Sequence, residues 1–222
     1  MNKFKEIKDE IKTVLSGSTI DAILPPLLFV IINNILGISA AIISALVLSL
    51  VLGIKRILNK ESWKYAFGGF IIVSLAAGLA LITKNASNYF IGAAVGSGVF
   101  FIAAVVSLLL GKPMAAYASH LSRGWPLDWF WRKDIKPAYK EVTVFWALFF
   151  LMRMIVQIIL IRKANPDQLV WANTLLGWPV TLLILISSYI YGTWRLKKLK
   201  GPGVEEFIEG KEPPWEGQKK GF

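Results

Sequence analysis

Hydrophobic positions in this chain fall in long unbroken runs. Six of them, at about residues 20–36, 38–54, 66–83, 89–110, 142–161 and 169–194, are each 17 residues or longer. At 1.5 Å of rise per residue such a run spans about 25 Å or more as a helix, which matches the hydrocarbon thickness of a bilayer. The pattern predicts six membrane-crossing helices, the first two meeting at Gly37 in a tight hairpin. Residues 1–18 have a different rhythm, with Phe4, Ile7, Ile11, Val14 and Leu15 at three-to-four-residue spacing among lysines and acids. That spacing suits either an amphipathic helix lying on the membrane surface or a solvated cap on the first span. The expected architecture is an all-α integral membrane protein. It has an amphipathic segment at 1–18, a six-helix bundle at 19–196 with a Trp-rich loop at 111–140, and a Gly/Pro-rich flexible tail at 197–222.

Charge fixes the expected orientation. The net charge is +11 although 55% of residues are hydrophobic, and 21 of the 25 Lys and Arg residues fall in the N-terminus, the second loop, the fourth loop and the tail. Only Lys84, Arg162 and Lys163 fall on the other side, with Arg153 inside a span. Basic residues concentrate in cytoplasmic loops, so both termini are expected in the cytoplasm. The positive charge is read as a topology signal and not as a nucleic-acid footprint. The N-terminus lacks the apolar core and small-residue cleavage site of a signal peptide, so insertion is expected to rely on the first span. There are no cysteines, which excludes disulfides and thiolate chemistry.

Arg153 carries the sharpest chemical question. It lies about twelve residues into the fifth span, where insertion scales place an arginine at roughly +2.5 to +3.5 kcal/mol. Asp21 at the start of the first span and Glu141 just before the fifth both sit at the cytoplasmic edge, roughly 18 Å away by helical rise. Asn33, Asn34, Gln157, Asn173 and Thr174 all fall in the same half of the bilayer, and Gln157 lies one turn along the face of Arg153. These six residues are the expected substrate-binding cluster, formed by spans one, five and six. Amides solvate a guanidinium without neutralising it, so such a cluster suits an anion such as a lipid phosphate or a small carboxylate. The plainer alternative is Arg153 held by amides, carbonyls and water with no ligand.

Other features are weaker. Pro25, Pro26 and Pro179 sit inside spans, where each removes a backbone donor; such breaks are static kinks or border binding sites. The run Gly92-Ala-Ala-Val-Gly96 allows close helix approach, within one chain or in a homo-oligomer. In the fourth loop Trp125, Trp129 and Trp131 stand among basic residues, which is the composition of a membrane-interface platform favouring anionic lipid headgroups. His120 is the only histidine. No metal site, cofactor motif, nucleophile elbow or paired acids at catalytic spacing can be read, and an enzyme is not expected.

Leu24-Pro25 opening the first span, Gly111-Lys112-Pro113 closing the fourth, Trp146 with Phe149-Phe150 in the fifth, and Trp171 with Tyr189-Ile190-Tyr191 in the sixth form an ordered set over about residues 20–196. In that order and spacing the chain resembles the bacterial intracellular septation protein A family and a neighbouring family of uncharacterised multi-pass proteins. The resemblance implies a bacterial inner-membrane protein connected with cell division or the cell envelope, acting through other membrane proteins. The Trp-rich loop, the Gly/Pro tail and Arg153 depart from the septation proteins. A small-solute or lipid carrier built around Arg153 is the competing reading.

Overall fold

The computed structural model describes residues 17–59, 63–218 and 221–222, with side chains from residue 24 onward and, after the second gap, from residue 67. Of the amphipathic segment expected at 1–18, residues 1–16 lie outside the described residues. Among the described residues all regular structure is helical. The long helices are α1 (Gly17–Leu36), α2 (Ile38–Leu58), α3 (Trp63–Thr83), α4 (Ile91–Leu109), α7 (Lys136–Arg162) and α9 (Trp178–Leu199). Shorter ones are α5 (Met114–Arg123), α6 (Leu127–Phe130), α8 (Pro166–Leu175) and α10 (Val204–Ile208), with a 3-10 turn at Ala86–Phe90 leading into α4.

Four helical stretches, 38–58, 86–109, 136–162 and 166–199, are long and apolar enough to cross a membrane, and Leu24–Leu36 and Phe67–Thr83 are shorter apolar helices. Large apolar side chains such as Ile82 and Leu109 stand 81% exposed along them. Helices this apolar on their outer faces need lipid around them, because water would leave that surface unburied. By length and composition the chain is a multi-pass membrane protein.

The chain divides into two compact units. The first comprises residues up to 94 together with 155–179; the second comprises 95–154 together with 180–222. In the first, Gly37 adopts φ 82°, a left-handed conformation open to glycine at no steric cost, and α1 turns into α2 within one residue as the sequence predicts. Phe29 stacks on Tyr89 at 4.3 Å between ring centroids, and Ala41, Ala45, Ala77, Ala80, Leu169 and Val170 complete a small-residue core. Pro25 and Pro26 lie within a continuous α1 and do not divide it.

The expected sixth span falls within the apolar stretch 166–199, which a two-residue turn at Leu176-Gly177 divides into α8 and α9; Pro179 sits in the first turn of α9, where a missing N–H costs nothing because that donor has no intrahelical partner. Gly177 permits the break: a Cβ there would lie 2.5 Å from the Asn173 carbonyl oxygen. At the two glycines of the Gly92–Gly96 run an added Cβ meets nothing within 4 Å. The tight approach falls at Gly98, against the Met154 sulfur.

In the second unit the Trp-rich loop folds into its own layer. Pro113 starts α5 without a capping side chain, and the first two α5 amides donate elsewhere: Met114 N to Ser107 Oγ at 3.0 Å and Ala115 N to Thr143 Oγ1 at 3.1 Å. Trp129, Phe130, Ile135, Ala138, Tyr139 and Val142 form the core of this layer. The segment after Lys200, expected as a flexible tail, packs onto it. Trp129 Nε1 donates to the Pro202 carbonyl at 2.9 Å, Tyr139 stacks on Phe222 at 4.2 Å, and Val204 is buried. Low sequence hydropathy hid this, because the segment docks through few apolar residues and is itself held in shape by bonds between its own carboxylate and its own backbone. The Glu206 carboxylate alone accepts from the amides of Gly203, Glu216 and Gly217.

That docking can be tested in two ways. Trp129→Phe keeps the ring but orphans the Pro202 carbonyl, and a buried acceptor left unpaired costs about 1–3 kcal/mol; limited proteolysis in detergent should then cleave within 201–222 faster than in the parent protein. The three amides hold the Glu206 carboxyl below its ordinary pKa. Its stabilising contribution is therefore complete above the ordinary carboxylate range and is lost as pH falls through the depressed value, so protease sensitivity of the segment should rise on acidification and do so less in Glu206→Gln.

Candidate functional site

Three helix ends in the first unit face one cavity, and two of them, after α3 and α7, end in the same way. The turns after α1, α3 and α7 each place one residue in the left-handed region: Gly37, Lys84 at φ 51° and Ala164 at φ 50°. After α3, the Asn85 amide reaches back to the Ala80 carbonyl at 3.2 Å, and after α7 the Asn165 amide reaches the Leu160 carbonyl at 3.4 Å. These are the six-to-one bonds that satisfy the last carbonyls of a helix. Both asparagines also cap the next helical segment: Asn85 Oδ1 accepts from Ser87 N at 2.9 Å, and Asn165 Oδ1 accepts from Gln168 N at 3.0 Å.

The cavity between these turns has a volume of about 780 Å³ and is lined by Asn33, Asn34, Thr83, Lys84, Asn85, Asn165 and Asp167, with Ile38, Ala86, Ala164 and Pro166. Asn34 Nδ2 donates to Asp167 Oδ1 at 2.7 Å, tying α1 to the start of α8. Asn85 and Asn165 spend their carbonyl oxygens as caps, so each offers the cavity an uncommitted NH₂ group. Among the described residues Lys84 forms no ion pair. The wall therefore presents amide donors, one ammonium and one carboxylate.

Of the six residues grouped from sequence, the structure places Asn33 and Asn34 on this cavity. Gln157 and Asn173 bond to each other, Gln157 Nε2 donating to Asn173 Oδ1 at 2.6 Å, and Asn173 Nδ2 donates to the Leu169 carbonyl at 2.8 Å. Gln157 is 1% exposed. Thr174, one residue on from Asn173, is half-buried. Arg153 belongs to the second unit; its Nε is buried with no hydrogen-bond partner among the described residues. Glu141 is committed elsewhere, accepting two bonds from Arg195 at 2.8 and 2.9 Å and one from the Tyr191 hydroxyl at 2.8 Å.

Lys84, Asn85, Asn165 and Asp167 escaped the sequence reading because they lie in turns between spans. The available signal was an asparagine directly after a helix end and before a new helical run, in Lys84-Asn85-Ala86 and Ala164-Asn165-Pro166, which is a capping pattern.

The aromatic platform is corrected for Trp129, which is fully buried inside its own layer and cannot insert into a bilayer. Trp125 packs edge-on against it at 5.4 Å and carries the Arg123 guanidinium 5.0 Å from its ring centroid. Trp131 packs against Tyr117 at 5.5 Å and both Trp125 and Trp131 are half-buried. Among the described residues no three His, Asp or Glu side chains cluster as metal ligands.

No curated protein and no solved structure matches the chain. One family description does, over residues 16–197, and it is an uncharacterised family, which supports that side of the resemblance and carries nothing about septation. With most of its length matched, from the start of α1 to the end of α9, the chain belongs to the family described as Protein of unknown function (DUF3159).

Proposed function

We propose that this is a six-pass, non-enzymatic protein of the bacterial inner membrane, with both termini in the cytoplasm, that binds or carries a small polar solute. The open cleft at these turns carries this reading, since amides and charges from three connections line one space. The asymmetry of Lys and Arg supports the topology, and on that topology the turns at Gly37, Lys84 and Ala164 share the non-cytoplasmic face. Gln157 and Asn173 supply further polar groups along α7 and α8. Arg153, whose Nε has no partner among the described residues, belongs to the second unit and is a separate candidate for an anion or a lipid phosphate, not a part of this cavity.

A second reading, a scaffold associated with the envelope or with septation and acting through other membrane proteins, is favoured by a different observation. The Trp-rich layer and the segment packed on it form a folded surface built from none of the cavity residues. The two readings differ in which residues matter.

Single cysteines in this naturally cysteine-free chain test the topology. Cysteine placed at Lys84 or Asn165 should react with a membrane-impermeant maleimide on intact cells, and one at Lys133 should not; the opposite pattern inverts the orientation. For binding, the detergent-solubilised protein is heated with a panel of small polar solutes, comparing the parent with Asn33→Trp, which fills the cavity. A solute at a hundred times its Kd adds about 2.7 kcal/mol, or roughly 5–10 °C for a chain of this size, in the parent alone. If no solute stabilises the parent, or if Asn33→Trp responds equally, the cavity is not the site.

A further inference from the structure

Opposite charges that line one cavity normally find each other. Lys84 and Asp167 both line this one, and among the described residues they form no ion pair with each other. Each is instead positioned independently. Lys84 occupies the left-handed position that ends α3. Asp167 is held through Oδ1 by the Asn34 amide, leaving its second oxygen uncommitted. Both charges line the cleft, exposed and without an ion pair to each other.

The neutral groups between them have a fixed sense. Because the capping bonds occupy Oδ1 of Asn85 and Asn165, what each turns to a ligand is a donor pair, which suits a carboxylate beside an ammonium. The same bonds lock both side chains before any ligand arrives, so little ordering entropy is lost on binding. No aromatic ring lines the cavity. That argues against a stacked nucleobase or a quaternary ammonium held in an aromatic cage. The space is open to the outside, so a ligand longer than one amino acid can extend from it.

Resting on the solute-binding reading above, we infer that the cavity recognises a peptide-sized zwitterion, its carboxylate met by Lys84 with the Asn85 and Asn165 amides and its ammonium met by Asp167. Charge at both ends of the ligand, and not its bulk, sets the affinity.

Four probes test this on the full chain in mild detergent by titration calorimetry: trialanine, N-acetyl-trialanine, trialanine amide and N-acetyl-trialanine amide. Trialanine should bind at least tenfold more tightly than either singly charged form, and the doubly blocked form most weakly. Lys84→Asn suits the left-handed backbone and removes only the ammonium; Asp167→Asn keeps an oxygen for Asn34 and removes only the charge. Neither should change the unliganded melting temperature. Lys84→Asn should abolish the preference for a free carboxylate, and Asp167→Asn the preference for a free amine. Equal binding of the doubly blocked peptide overturns the zwitterion while leaving a solute site in place. Silence from all four probes also overturns it, and the solute-binding reading is then decided by the panel and Asn33→Trp.

Discussion

A helix that crosses hydrocarbon must settle its own backbone, and the last carbonyls and first amides of each helix are the groups it cannot settle alone. Much of this structure's polar detail answers that constraint. Two turns of the first unit close α3 and α7 with a left-handed residue and reopen the helix with an asparagine cap, and the shortest turn does its part with Gly37. The asparagines settle amides at the start of the next helical segment, a structural role that precedes any other. The cavity is lined by residues of these two turns and of the hairpin at Gly37.

On the solute-binding proposal, the site is made of groups that first serve the fold. An asparagine that caps with its oxygen has its amine left over, and two such asparagines on one cavity give a donor-lined wall without any residue dedicated to binding. Arg153 is the contrasting case. Nothing in the backbone requires a guanidinium in α7, and Glu141, on the same helix, is occupied by Arg195 and Tyr191. A buried Nε without a partner is costly enough to count as a feature in its own right.

The helices were legible because hydrocarbon selects composition directly: the runs at 38–54 and 142–161 lie within α2 and α7, and Gly37 marks the hairpin. What escaped the sequence reading did so for local reasons. The break at Leu176-Gly177 is invisible to hydropathy, since neither residue is polar; it depends on a glycine accepting close contact with the Asn173 carbonyl. The fate of Trp129 could not be read because interfacial and buried tryptophans share a composition, and only its bond to Pro202 separates them. The polar residues of the spans were recognisable as unusual, and Gln157 with Asn173 does form a pair. Asn85, Asn165 and Asp167 stand in ordinary-looking connections, where nothing but capping grammar distinguishes them.

The start of α5 has a mechanical implication. Its leading amides are fastened to Ser107, near the end of α4, and to Thr143, in α7, so this short helix is stitched to two long ones by groups it needs in order to exist. If those long helices slide or tilt, α5 must move with them or fray. On the proposed topology this makes α5 a lever on the inner side of the membrane, able to report to the cytoplasm any rearrangement of the helices within the bilayer.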